Sequence, residues 1–168
     1  MGKTNLMTDK TKPFFMGIMA IFFISLLLCS GTGIPAYGNG TLIDLTIISE
    51  IESNNRDTAI SFRGARYGRG RYQISEICLK DYNQETRSNI APEELFCPVV
   101  GYQVAHWYIT RRIPQILRNW GIPITEETIL WGYNAGVGRV RDGIKPVETV
   151  NYINKYRRLR EKKEGALQ

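Results

Sequence analysis

From Pro98 to Arg112 the chain is apolar almost all the way round. Val99, Val100, Tyr102, Val104, Ala105, Trp107, Tyr108 and Ile109 leave no polar stripe at helical spacing. A helix without a wet face has to be surrounded by other elements, so this stretch predicts a central buried helix. The other segments read as its casing. Leu42–Ser53 and Tyr72–Tyr82 carry apolar residues at helical spacing. Pro92 suits a first helical turn, and Pro98 a helix start. Pro114 to Trp120 adds a short helix closed by Gly121. Thr125 can cap the next helix, with Glu126 and Glu127 in its first turn, and that helix stops at Asn134-Ala135-Gly136. A glycine-rich loop follows, then a final helix from Val147 to Glu164. Arg63 to Arg71, rich in Gly and Arg, reads as irregular. Strand alternation is missing except for a short stretch around Arg71 to Ile74. The expected fold is mainly α, built as one domain, which suits a chain of 168 residues.

One acid stands out against this casing. At about 100° per residue, Leu42 to Glu52 forms a helix with one broad apolar arc made of Ile43, Leu45, Ile47, Ile48 and Ile51. Glu52 shares a row with Leu45 and Ile48, so a carboxyl group points with the aliphatic side chains. Lost hydration should raise its pKa, and an acid protonated near neutrality can donate a proton to a leaving group. Glu50 lies about 160° away round the helix and should face water. Asn54-Asn55 ends the helix. Ser53 reads as a local cap rather than a nucleophile, because the single histidine, His106, belongs to the buried helix and reads as a core residue. No Cys-x-x-Cys or zinc-type His cluster is present, and neither metal nor cofactor is expected.

Charge and the N-terminus bear on where such an acid would work. The formal charge is +6, which favours an anionic partner without choosing one. Lys3, Lys10 and Lys12 precede an apolar run from Phe14 to Leu28, the pattern of an export signal. Ala36 and Gly38 suit cleavage after Gly38. The alternatives are an uncleaved anchor through residues 14–29, since the run falls somewhat short of the ~20 residues of a comfortable span, and lipidation at Cys29. Residues 1–38 hold three Lys and one Asp, so the remainder carries 19 basic and 15 acidic residues. It also keeps two cysteines, Cys78 and Cys97. They are either a disulfide, as exported chains allow, or two buried thiols. The domain is expected over 39–156, with 157–168 as a basic, solvated end.

Five short motifs occur in order: Glu52-Ser53; Ser61-x-x-Gly64-Ala65; Gly70-Arg71-Tyr72-Gln73-Ile74; Gly132-Tyr133-Asn134-Ala135-Gly136; and Glu148-Thr149-x-x-Tyr152. Together they resemble the lytic transglycosylases of the soluble (SLT) type, over about Leu42 to Tyr156. The resemblance implies a lysozyme-like helical fold related to goose-type lysozyme. It implies an exported, periplasmic or envelope enzyme that cuts peptidoglycan glycan strands without a cofactor. Glu52 would be the sole catalytic acid and base. Ser61, Tyr72, Gln73 and Tyr133 would line the cleft and meet substrate, and Asn134 would shape its wall. Glu148 would help order the site, and Tyr152 would pack nearby. Two departures stand out: Arg71-Tyr72-Gln73 replaces the Leu-Met-Gln of many members, and Arg66-Tyr67-Gly68-Arg69 lengthens the segment before Gly70.

A glycosidase usually flanks the scissile bond with two carboxyl groups. Asp57, Glu76 and Asp81 sit in loop or surface contexts, so Glu52 would act alone, with the substrate supplying the second function. The compact size resembles members that open the wall for a secretion or conjugation complex, and a monomer is expected. The rivals are a hydrolase on the same fold, a binding module without activity, and a nucleic-acid-binding protein. The last would use the Arg/Gly/aromatic run Phe62–Tyr72 as a stacking platform. An export signal argues against that reading, and no nucleic-acid partner is expected.

Overall fold

The computed structural model describes residues 43–63 and 66–166, without the side chains of Arg63 and Arg66. The chain is mainly helical. Its elements run α1 (Leu45–Ser53), β1 (Ile60–Arg63), β2 (Arg66–Arg69), β3 (Ile74–Ser75), α2 (Glu76–Thr86), a 3-10 turn (Pro92–Phe96), α3 (Pro98–Trp107), a π turn (Tyr108–Arg112), α4 (Ile113–Asn119), α5 (Glu126–Ala135), α6 (Val137–Arg141) and α7 (Val147–Gly165). The expected export signal lies outside the described residues, as does Cys29. Among the described residues no helix is long and apolar enough to cross a membrane.

Helix α1 starts three residues later than periodicity alone suggests, because Asp44 is its cap. The Asp44 carboxylate accepts from the Thr46 N–H at 2.8 Å and from the Thr46 hydroxyl at 2.7 Å, meeting donors the first turn leaves unsatisfied. The helix ends at Asn54 and Asn55, both left-handed (φ 55° and 61°), as the Asn pair suggested. It packs on α7 and α3. Ile47 and Ile48 enter the core with Val104, Ile113, Leu117, Leu130 and Tyr156, each 2 % exposed or less.

The α3 segment is only partly the buried helix expected: Gly101, Val104, Ala105 and Trp107 are buried, Gln103 is exposed and the rest are half-buried, and the helix does not break before Pro114. α3, the π turn and α4 run on without interruption. Proline removes a helical donor and crowds the carbonyl four residues back, and the π turn absorbs this. The Ile113 N–H reaches the Tyr108 carbonyl, and the Thr110 hydroxyl answers the His106 carbonyl at 2.7 Å. His106 is half-buried and stacks on Tyr102 at 5.6 Å. Cys78 is a free, buried thiol, so Cys78 and Cys97 do not pair.

The Gly/Arg segment is not irregular. It forms a three-stranded antiparallel sheet in the order β1-β2-β3. Ile60 pairs with Arg69, Ser61 with Gly68, Phe62 with Tyr67, and Arg63 with Arg66. The Phe62 ring meets Tyr67 edge-on at 4.9 Å, a cross-strand contact of the kind that stabilises sheets. Helix α2 then starts at Glu76 rather than Tyr72. Gln73 is left-handed (φ 51°), which no helix continues, and Ser75 supplies the cap by accepting from the Cys78 N–H. The loop expected after Gly136 contains the short helix α6, anchored by buried Val140.

The C-terminal charge run is largely exposed, as expected, but it is helix rather than a loose tail. α7 continues to Gly165, and its basic residues reach acids far back in the chain. Arg157 pairs with Glu126 and Glu127, Arg160 with Glu126, and Lys163 with Asp44. Lys145 completes the cluster by pairing with Glu127. The α1 cap is therefore held from α7 twice: the Asp44 N–H donates to the Tyr156 hydroxyl at 2.6 Å, and Lys163 Nζ donates to the carboxylate at 2.6 Å.

These contacts set an acid-side limit on stability. Burial alone would raise the Asp44 pKa, but bonds from Lys163 and Thr46 outweigh it and leave the value below its ordinary 3.8. Bonds from Lys145 and Arg157 hold Glu127 below its ordinary 4.5. Carboxylates with lowered folded-state pKa values stabilise fully above their unfolded values, and the contribution fades as pH falls through the folded values. The melting temperature should therefore fall as pH drops below 4.5 and through 3.8. Lys163→Ala should flatten part of that slope, and an unchanged slope in a pH series of melts would contradict the Asp44 assignment.

Candidate active site

Glu52 occupies the last turn of α1 and is half-buried. Two phenols stand around it. Tyr133, from the last turns of α5, donates its hydroxyl to the Tyr72 carbonyl at 2.6 Å. Its ring keeps an exposed edge, but burial of the hydroxyl pushes its pKa well above the ordinary range, with the Glu52 charge adding to the effect. Tyr152, from α7, is buried, and its pKa is raised by burial first and by the Glu52 charge next. Both phenols therefore stay protonated beside the carboxylate. The Tyr152 hydroxyl interacts with Glu52, yet it completes no hydrogen bond of full geometry. It is best described as a donor aimed at the acid rather than seated on it.

This arrangement predicts an unusual separation. A buried donor without a proper partner costs about 1–3 kcal/mol, so Tyr152→Phe should not lower the melting temperature. It should nevertheless reduce turnover about tenfold, because a donor facing the acid is removed. A variant that melts earlier with unchanged turnover would show that Tyr152 serves the core alone.

The residues expected from the sheet segment bond to one another. Successive strand residues face opposite ways. Ser61 and its pairing partner Gly68 face Gln73, while Ile60 and Phe62 are exposed, at 51 % and 69 %. The Ser61 hydroxyl donates to Gln73 Oε1 at 2.5 Å. Gln73 Nε2 donates to the Gly70 carbonyl at 2.8 Å and the Ala59 carbonyl at 3.2 Å. A Cβ on Gly68 would sit 2.7 Å from Gln73 Oε1 and 3.0 Å from Ser61 Oγ, so only glycine leaves room for this bond. Gln73 thus braces the loop, with both ends of its amide engaged.

The structure corrects one expected contact. Tyr72 is 2 % exposed, its ring edge-on to Tyr102 at 6.3 Å, and burial pushes its hydroxyl up to about 12. Its side chain belongs to the core, and what it offers the site is the backbone carbonyl that receives Tyr133. Asn134 is half-buried, its Oδ1 accepting from the Thr149 hydroxyl at 2.8 Å. Glu148 stands exposed in the first turn of α7, and it is Thr149, 1 % exposed, that reaches Asn134. Thr149 was visible in the motif only as the residue beside Glu148.

Other supports were not visible at all. Arg71 clasps Asp57 through two bonds of 2.7 and 3.0 Å, which bridges the loop after α1 to the turn before β3. Ser53 donates to the Arg71 carbonyl at 2.8 Å and accepts from the Arg56 N–H at 3.1 Å. It is a local cap with a long-range bond added. Glu50 is exposed. Among the described residues no group of His, Cys, Asp and Glu is placed to hold a metal ion.

Chemically, the constellation offers one half-buried carboxyl group with two neutral phenols beside it. An open hollow of about 570 Å³ lies elsewhere, against Trp107 and Arg118, and shares no residue with this group. The Glu52 constellation is preferred as the catalytic candidate because the acid of that cavity, Glu85, is exposed, whereas Glu52 is half-buried beside two phenols. No protein-family model matches the chain, and no curated protein or solved structure matches it.

Proposed function

We propose that this chain is a peptidoglycan lytic transglycosylase with a lysozyme-like catalytic domain. One observation carries the reading: a single half-buried carboxyl group, Glu52, flanked by the buried hydroxyl of Tyr152 and by Tyr133. The other nearby acids are committed or turned away. Asp57 is clasped by Arg71, while Glu50 and Glu148 are exposed. A mechanism with one acid suits this arrangement better than one with two.

In that mechanism Glu52 donates its proton to the oxygen linking N-acetylmuramic acid to N-acetylglucosamine. As the bond breaks, the 2-acetamido oxygen of the muramic residue stabilises the cationic C1. The ionised Glu52 then takes the proton from the C6 hydroxyl of the same sugar. The C6 oxygen bonds to C1 and displaces the acetamido oxygen, giving a 1,6-anhydro ring without consuming water. One residue acts first as acid and then as base, which requires its pKa to lie near the working pH. Tyr152 would orient the carboxylate between the steps, while Tyr133, whose hydroxyl is given to the Tyr72 carbonyl, bounds it on the other side.

An N-terminal export signal would bring the enzyme to its polymer in the periplasm or envelope. There a catalytic unit of this size would suit local opening of the wall for an envelope-spanning complex. Mass analysis of products from purified sacculi tests the activity. Anhydromuropeptides are expected, whereas reducing muramic ends would assign the fold to a hydrolase.

A further inference from the structure

The 570 Å³ cavity lies between the end of α2 and the π turn with α4, and the Glu52 reaction makes no use of it. Its lining combines Arg111, Arg118, Glu85, Gln115, Thr110 and Pro114. Its floor is Trp107, 8 % exposed, fixed by an edge contact to Tyr82 at 5.2 Å. Three of these side chains carry charge without using it inside the fold. Arg111, Arg118 and Glu85 are exposed and form no ion pair among the described residues. Their neighbour Arg112 does the opposite and binds Asp81 at 3.1 Å. The segment therefore satisfies one arginine internally and presents two others to the cavity.

The geometry narrows what could fill it. Arg111 and Arg118 stand two turns apart, about 10 Å along the axis. Each guanidinium can take a carboxylate through two parallel bonds. Glu85, on the α2 side, can take an ammonium group. The Gln115 amide, touched only by Arg112 at 3.4 Å, keeps its N–H donors for a peptide carbonyl. Trp107 and Pro114 offer apolar surface to short aliphatic side chains.

We propose that this cavity recognises a short peptide that can present two of its carboxylates about 10 Å apart together with an amine, the chemistry of the stem peptides attached to wall glycan. The identification with wall stems rests on the function proposed above; the charge pattern of the ligand does not. The site would hold a stem while the glycan it hangs from is cut at Glu52.

A labelled L-Ala-γ-D-Glu-diaminopimelate peptide titrated into the full chain, read by fluorescence anisotropy, tests this. Saturable binding is expected. Arg111→Gln with Arg118→Gln should weaken it at least about tenfold, as should amidation of the peptide carboxylates, since each lost charge-assisted pair contributes about 1.5–3 kcal/mol. Both arginines are exposed, so the double variant should melt with the wild type. Glu52→Gln should bind the peptide normally. Equal binding by the double variant, or by the amidated peptide, overturns the proposal. Equal binding of an amine-free hexa-aspartate also overturns it, and assigns the cavity to an acidic protein segment instead. Normal peptide binding with no cleavage of sacculi would leave the cavity's ligand standing and remove the transglycosylase reading.

Discussion

Under the proposed function, Glu52→Gln is expected to abolish release of 1,6-anhydro products from purified sacculi while leaving the chain folded. A positioned acid or base contributes about 10²- to 10⁴-fold. Here one group performs both transfers, so a loss near 10⁴-fold is expected. The amide keeps the size of the carboxyl group but can neither give nor accept the proton. Stability should change by less than about 1 kcal/mol, as for a near-isosteric change at a half-buried position. The pairing of outcomes is what makes the variant informative: unfolding would explain lost activity trivially, and retained activity would end the one-acid mechanism. Tyr133 and Tyr152 remain in place to report the site, because neither hydroxyl depends on the Glu52 proton for its own burial.

Gly70→Ala is expected to do the greatest damage to the fold. Gly70 is left-handed, with φ +72°, and a Cβ there would lie 2.1 Å from the Leu95 carbonyl oxygen. That neighbour is backbone of the 3-10 turn, so it cannot swing aside as a side chain could. A non-glycine residue in this conformation costs about 1–3 kcal/mol before any clash. Shifting the loop would also disturb three hydrogen bonds. The Gly70 N–H donates to Ala59 at 2.9 Å, and its carbonyl receives the Gln73 N–H at 3.1 Å and Gln73 Nε2 at 2.8 Å. A loss of at least about 3 kcal/mol follows, seen as a drop of roughly 10 °C in a thermal melt. Turnover should fall too, since the same loop carries Gln73. A variant that melts normally would mean the approach to Leu95 is looser than described.

The helices were legible where the chain announces them locally. Thr125 with Glu126 and Glu127 marked α5, and the dense apolar run marked α3. What escaped was whatever depends on a distant partner. Strand β2 reads Arg-Tyr-Gly-Arg, which has no strand character on its own. Its stability comes from Phe62 across the sheet and from Gln73 behind it. The pairing of the basic end of α7 was hidden because its acids, Glu126, Glu127 and Asp44, lie 30 to 119 residues earlier. α2 was misplaced by four residues because a left-handed Gln73 cannot be read from composition. At the site, Glu52 was visible as an acid on an apolar row. Tyr72 was not visible as core, because a motif gives a residue's neighbours in sequence and not the direction of its side chain.

Asp44 opens the helix that ends in Glu52, yet the groups that secure it, Tyr156 and Lys163, are made 112 and 119 residues afterwards. On the ribosome the future acid therefore emerges early, on a helix whose beginning is still unfastened. Closing so long a loop comes late in folding. If the proposed function holds, copies cut short before Tyr156 would carry the acid on an unfastened helix and stay harmless without a separate inhibitor.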